Sequence, residues 1–176
     1  MDDPGPVAPG GDEDDLHRLS MTILMTPDMS NFAGNVHGGT LLKYLDQVAY
    51  TCATRWARNY AVTLSVDRVV FREPIHVGEL VTFQASVNYT GRTSMEIGVR
   101  VTTQDLVRRT LRHTNSCYFT MVAVDPDRRP VEVPRWVPRT AEERRRHAAA
   151  ERRRALRREI ERVNSEIKAA ADEPTT

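Results

Sequence analysis

The sequence predicts an α+β domain in which an antiparallel sheet curls around one long helix, followed by a charged C-terminal helix. Three observations predict it. Residues 40–57 repeat apolar side chains at helical spacing, four β-rich runs follow between residues 61 and 124, and residues 139–168 are dense in Arg and Glu. One long helix cannot fill both faces of a sheet that size, but it covers one face if the sheet bends around it.

Taken in order, residues 1–15 hold six acids and no Lys or Arg among prolines and glycines, which reads as a disordered acidic leader. The single folded domain is expected over residues 16–138, beginning with a short strand at Leu19 to Met25 and a long loop. From Thr40 to Ala57 the apolar positions are Leu41, Leu42, Leu45, Val48, Ala49, Cys52, Ala53 and Trp56, the stripe of a helix with one buried face. Alternation then marks strands at Ala61 to Phe71, Leu80 to Tyr89, Ser94 to Thr103 and Arg109 to Val124. Breaks are expected at Arg72-Glu73-Pro74, at Thr90 to Thr93 and at Gln104-Asp105. Residues 139–176 form the third segment, with a helix from Thr140 to Lys168 opened by the capping box Thr140-x-x-Glu143.

A chain of 176 residues with net charge +1 gives no global reason to expect nucleic acid. No apolar run resembles a signal peptide or a membrane span, so a cytoplasmic protein is expected. Cys52 and Cys117 make no disulfide framework and read as small core residues.

The richest chemistry lies at Asn35 to Asp46. Gly38-Gly39 stands at a helix start, whose unpaired N–H groups can hold an anionic oxygen, and Asp46 lies at the margin of the buried face. A carboxylate there activates water, or it is an exposed helix-edge Asp reaching Lys43 or Tyr50. Gly-Gly equally serves as a plain loop-to-helix turn.

The stretch Ala33-Gly34-Asn35-Val36-His37-Gly38-Gly39 leading to Asp46 resembles the hotdog-fold acyl-CoA thioesterases of the cytosolic acyl-CoA hydrolase type. The resemblance continues through Val66-Asp67, Phe71, Pro74, Gly78, Tyr89-Thr90, Ser94 to Ile97 and Pro130 to Pro134, and covers about residues 18 to 155. It implies hydrolysis of acyl-CoA to a free fatty acid and CoA without metal or other cofactor. By the same resemblance Asp46 is general base or nucleophile, and Asn35 arrives from the partner subunit. The N–H groups of Gly38 and Gly39 polarise the carbonyl, and His37 is structural. Two copies would share two sites, with sheets joined edge to edge, and three such dimers would make a hexamer. For Asn35 the residues alone also allow a loop-capping role.

The resemblance places CoA contacts on Arg92, Thr93 and Ser94, where the bland alternative is a hairpin turn with a solvated Arg; Arg68 and Arg72 are further candidates. The C-terminal helix carries ten Arg from Arg139 to Arg162 with Glu interleaved, which suits a solvated helix better than a nucleic-acid reader. Its arginines could still meet a CoA phosphate or an acidic leader. Besides the hydrolase, the remaining classes are a non-catalytic acyl-CoA-binding hotdog protein, an anion or nucleic-acid binder with steep salt dependence, and a hydratase on the same fold.

Overall fold

Helix α1 spans Gly38–Ala57 and buries Leu41, Leu45, Val48, Ala49, Cys52, Ala53 and Ala57, the stripe that the apolar spacing marks out. It begins two residues earlier than the periodicity suggests, because glycines carry no side chain to register in an apolar pattern. In this computed structural model residues 16–71 and 73–171 are described. The acidic leader expected over residues 1–15, and Arg72, lie outside them.

Strand β1 is Arg18–Leu24, β2 Tyr60–Val66, β3 Leu80–Thr90, β4 Ser94–Asp105 and β5 Thr110–Val124. They form one antiparallel sheet in the order β1-β3-β4-β5-β2. The face toward α1 carries Val81, Phe83, Ala85 and Val87 from β3, Ile97, Val99 and Val101 from β4, and Cys117, Phe119, Met121 and Ala123 from β5. Small residues at Ala49, Cys52 and Ala53 let the helix lie close against this surface.

Strand β2 ends at Val66, short of the expected Phe71. The alternating pattern persists through Val69 and Phe71, but Asp67 N–H makes a last bond to Tyr118 O at 2.9 Å and the chain then leaves the sheet. At the other end β4 runs through Gln104-Asp105, and Asp105 turns the chain by accepting from the N–H groups of Val107 and Arg108. As an edge strand β2 exposes Tyr60, Val62, Leu64 and Val66.

After β5 the chain doubles back, with Val131 N–H on Ala123 O and Val133 N–H on Arg92 O, each at 2.9 Å. Trp136 is buried, and Trp56 Nε1 donates to Pro134 O at 3.0 Å. The chain divides between Trp136 and Val137 into two compact units. The second contains helix α2, Ala141–Ala171, with the expected capping box: Glu143 N–H donates to Thr140 Oγ1, and Glu143 Oε2 accepts from the N–H groups of Thr140 and Arg139. Its charges pair along the helix, Arg146 with Glu142 and Arg162 with Glu159 and Glu166. Among the described residues no helix is long and apolar enough to cross a membrane.

Candidate active site

The start of α1 is built by its cap. His37 holds extended backbone dihedrals, and its Nδ1 accepts the Gly39 N–H at 2.9 Å, which places the ring proton on Nε2. Gly38 N–H is then the donor without a partner among the described residues. The two glycine donors expected from the sequence are therefore not equivalent, since one is already taken by the cap.

The preceding loop is closed by Asn31. Its Oδ1 accepts from Ala33 N–H at 2.9 Å and Asn35 N–H at 3.2 Å, and its own N–H donates to Asn35 O at 2.7 Å. Gly34, at φ 78°, supplies the left-handed residue that this tight loop needs. Loop-capping, weighed for Asn35 from the sequence, thus falls to Asn31, while the Asn35 backbone bridges to His76. With Oδ1 engaged, the Asn31 NH₂ group has no partner among the described residues.

Asp46 is exposed and lies eight residues beyond Gly38 on α1. At 1.5 Å per residue that is about 12 Å along the axis. Gly38 N–H and Asp46 of one chain therefore cannot serve the same carbonyl group. Asp46 Oδ1 accepts from Thr63 Oγ1 at 2.6 Å. Thr63 sits in β2 beside a register shift that leaves Leu64 as the extra residue, and its Oγ1 also lies 3.4 Å from Met121 Sδ. Nothing in the sequence singled out Thr63 among the β-branched residues of its strand.

Arg92, Thr93 and Ser94 form the β3–β4 turn, closed by Gly91 N–H on Ser94 O at 2.7 Å, with the Arg92 side chain exposed. Ser94 pairs with Val122 and Tyr60 with Val124, so this turn stands at the end of the sheet where α1 finishes. Gly38 is at the other end, beside Phe71. One chain does not bring these two groups of residues together.

A small cavity of about 10 Å³, room for about one water, lies under the first two turns of α1. Leu41, Leu45, Phe71, Ile75, Phe83 and Val101 line it. Of the apolar stripe of α1, Leu41 and Leu45 line it. Leu42 is exposed, while Ala49 and Ala53 are packed in the core. At its floor β5 bulges: Val101 faces Asn115 and Thr102 faces His113, leaving Thr114 as the extra residue. The bulge buries two successive polar side chains. Thr114 Oγ1 bonds Thr103 Oγ1 at 3.1 Å, whereas Asn115 is 7% exposed and its Nδ2 has no partner among the described residues. An unpaired buried amide costs on the order of 1–3 kcal/mol.

The loop that contributes Phe71, Glu73 and Ile75 to this lining is clamped by Arg112. It bonds Glu79 through Nη1 at 2.6 Å and Nη2 at 2.9 Å, Pro74 O at 2.7 Å, and Glu73 through Nε at 3.1 Å. The guanidinium bond holds the Glu79 carboxyl below the ordinary carboxylate range. Because the folded value is depressed, this contribution is present above about pH 4.5 and fades as pH falls through the lowered value. Arg112→Ala is expected to cost about 2 kcal/mol at neutral pH, since it leaves Glu79 buried without its cation. It should also flatten the acid limb of a plot of stability against pH, which urea titrations between about pH 3 and 7 would measure.

Neither cysteine can act as a thiolate nucleophile. Both are buried, and burial pushes each thiol up to about 12.

Residues 33–109 match the model of the Thioesterase superfamily. Protein VdlD of Helicobacter pylori is 48% identical over 146 residues, covering 83% of this chain and 83% of that protein. An apo-hexameric acyl-CoA thioesterase of known structure superposes with TM-score 0.80 at 36% identity, over 83% of this chain and 94% of its own. An acyl-CoA hydrolase from Staphylococcus aureus, solved with butyryl coenzyme A, coenzyme A and coenzyme A disulfide, superposes with TM-score 0.79 at 28% identity, over 89% and 95%. That hydrolase has also been solved with an Asn, an Asp and a Thr each replaced by Ala; the Asn lies fifteen positions before the Asp, and the Thr seventeen after it. With a five-stranded antiparallel sheet wrapped on α1 and these matches, the chain belongs to the hotdog-fold acyl-CoA thioesterases.

Proposed function

We propose that this protein hydrolyses acyl-CoA thioesters at sites shared between two copies of the chain. The observation that carries the reading is the Asp46–Thr63 hydrogen bond, together with the spacing of the residues around it. Asn31, Asp46 and Thr63 are fifteen and seventeen positions apart, the spacings of the three residues replaced in the Staphylococcus aureus hydrolase. Asn35 lies eleven before Asp46 and does not fit. We therefore assign the amide role to Asn31 rather than to Asn35.

In this reading the thioester carbonyl accepts the Gly38 N–H of one chain, at the positive end of α1. Asp46 comes from the other chain. Thr63 holds Oδ1, which leaves Oδ2 to take a proton from water or to attack the carbonyl carbon. Both routes need an ionised Asp46 in a fixed rotamer. The Asn31 NH₂ group orients the water or the thioester, and the thiolate of CoA leaves. No step calls on a metal.

Two features support sharing between chains. Gly38 and Asp46 are about 12 Å apart along α1, and β2 presents an uncharged edge, Tyr60–Val66, of the kind that pairs with another strand. Joining two β2 edges would set the α1 helices of the two copies side by side. By analogy with the hexameric relative, three such dimers would complete the assembly. Arg92, Thr93 and Ser94 remain the proposed CoA contacts, reached from a neighbouring chain's site. Thiol release from acyl-CoA esters of graded length tests the activity: hydrolysis of some of them is expected. Binding of all without thiol release would instead make this an acyl-CoA-binding protein.

A further inference from the structure

We propose that the distal half of α2 pairs with the α2 of a second copy of this chain, the two helices running antiparallel. The inference goes beyond the hydrolase reading and needs only that copies of the chain are joined elsewhere. Helix α2 is rich in charge, and its large apolar side chains are Leu156, Ile160, Val163 and Ile167. Their spacings of four, three and four residues place them all within about 60° of arc around the helix axis. That is the seam of a two-helix coiled coil. All four are exposed, as is every residue from 158 to 169, so nothing among the described residues covers the seam. An apolar strip of roughly a few hundred Å² left open to water marks an interaction surface.

A second α2 suits this seam because of the charges beside it. Glu159 and Glu166 both pair with Arg162 of their own helix, so they bring their cation with them to an interface. A lipid surface is a poor occupant, since Glu159, Glu161 and Glu166 lie among the cations that would face anionic headgroups. The direction follows from the run Arg152-Arg153-Arg154. In a parallel pair each run would lie against its own copy, like charge on like. An antiparallel pair centred between Glu161 and Arg162 sets Leu156 opposite the partner's Ile167 and Ile160 opposite the partner's Val163. Arg157 then stands level with the partner's Glu166, and the arrangement has the two-fold symmetry of closed homodimers. So short a seam would not hold free chains together. Where other contacts join the copies, the tether raises its effective concentration to about the millimolar range.

The test is cysteine cross-linking in the full chain, whose own Cys52 and Cys117 are buried. Leu156→Cys, Ile167→Cys and the double variant are purified, shown by circular dichroism to be folded, oxidised mildly and run on a non-reducing gel. Positions 156 and 167 are about 16 Å apart along one helix, so the double variant cannot bridge within a chain. Antiparallel pairing predicts mostly covalent dimers from the double variant and few from either single variant. No dimer from the double variant overturns the proposal, as does a Leu156→Cys dimer as abundant as that of the double variant. Hydrogen exchange gives a reading without new cysteines. Ile160→Glu combined with Val163→Glu should speed amide exchange across residues 155–169 by about tenfold or more. Exchange equal to that of wild type overturns the proposal, even if the double cysteine variant does not fold. Cross-linking by a chain that cleaves no ester keeps this proposal and removes the hydrolase reading.

Discussion

Asp46→Ala is expected to leave a folded oligomer whose acyl-CoA hydrolysis is slower by roughly 10²–10⁴-fold, the contribution of a positioned general base. The side chain is exposed in the single chain and sits within α1, where Ala is the better helix former, so the loss should come without a fall in Tm. Steady-state kinetics with a saturating ester would place the loss in kcat rather than KM, because the carboxylate acts on the reacting atoms and adds little to ground-state binding. Asp46→Asn keeps the shape and the Thr63 contact yet removes the charge, and should be nearly as slow. A rate within a few-fold of wild type in either variant would remove Asp46 from the chemistry.

The second large effect is expected at the sheet edge. Leu64 is 66% exposed in the single chain, so Leu64→Asp should leave the fold of one subunit intact. In an edge-to-edge pair it would bury a carboxylate on each side of the junction. Light scattering should then report monomers, and activity should drop by on the order of 100-fold or more, since Gly38 and Asp46 would no longer meet across two chains. Circular dichroism separates this outcome from unfolding. A monomer with undiminished activity would place the whole site in one subunit.

What the sequence made legible follows from periodicity. The α1 stripe, the β runs and the capping box of α2 are local patterns, and each element except β2 formed close to its expected bounds. The end of β2 was not legible, because Val69 and Phe71 continue the alternation and only the lack of a neighbouring strand stops the ladder. Which of Asn31 and Asn35 closes the loop with its side chain also escaped, since both are Asn in one short stretch and only the folded loop tells them apart. Thr63 meets Asp46 only through strand–helix packing, and the cavity lies between α1 and its own sheet because Ala49, Cys52 and Ala53 draw the helix close farther along. Such depths are set by long-range packing, which spacing along a chain does not record. Gly38-Gly39 is the mixed case: its place at a helix start was readable, but the capture of the Gly39 N–H by His37 was not.

The central claim is that each site takes Asp46 from one chain and Asn31 with Gly38 from another. It is tested most directly by mixing subunits. Asp46→Ala and Asn31→Ala are purified separately, confirmed inactive, then unfolded together, refolded and assayed for thiol release. A shared site predicts that activity returns to about a quarter of wild type, because half the dimers are mixed and each mixed dimer holds one intact site of two. A mixture that stays as inactive as its parents, with mixed dimers shown to be present, would contradict the account.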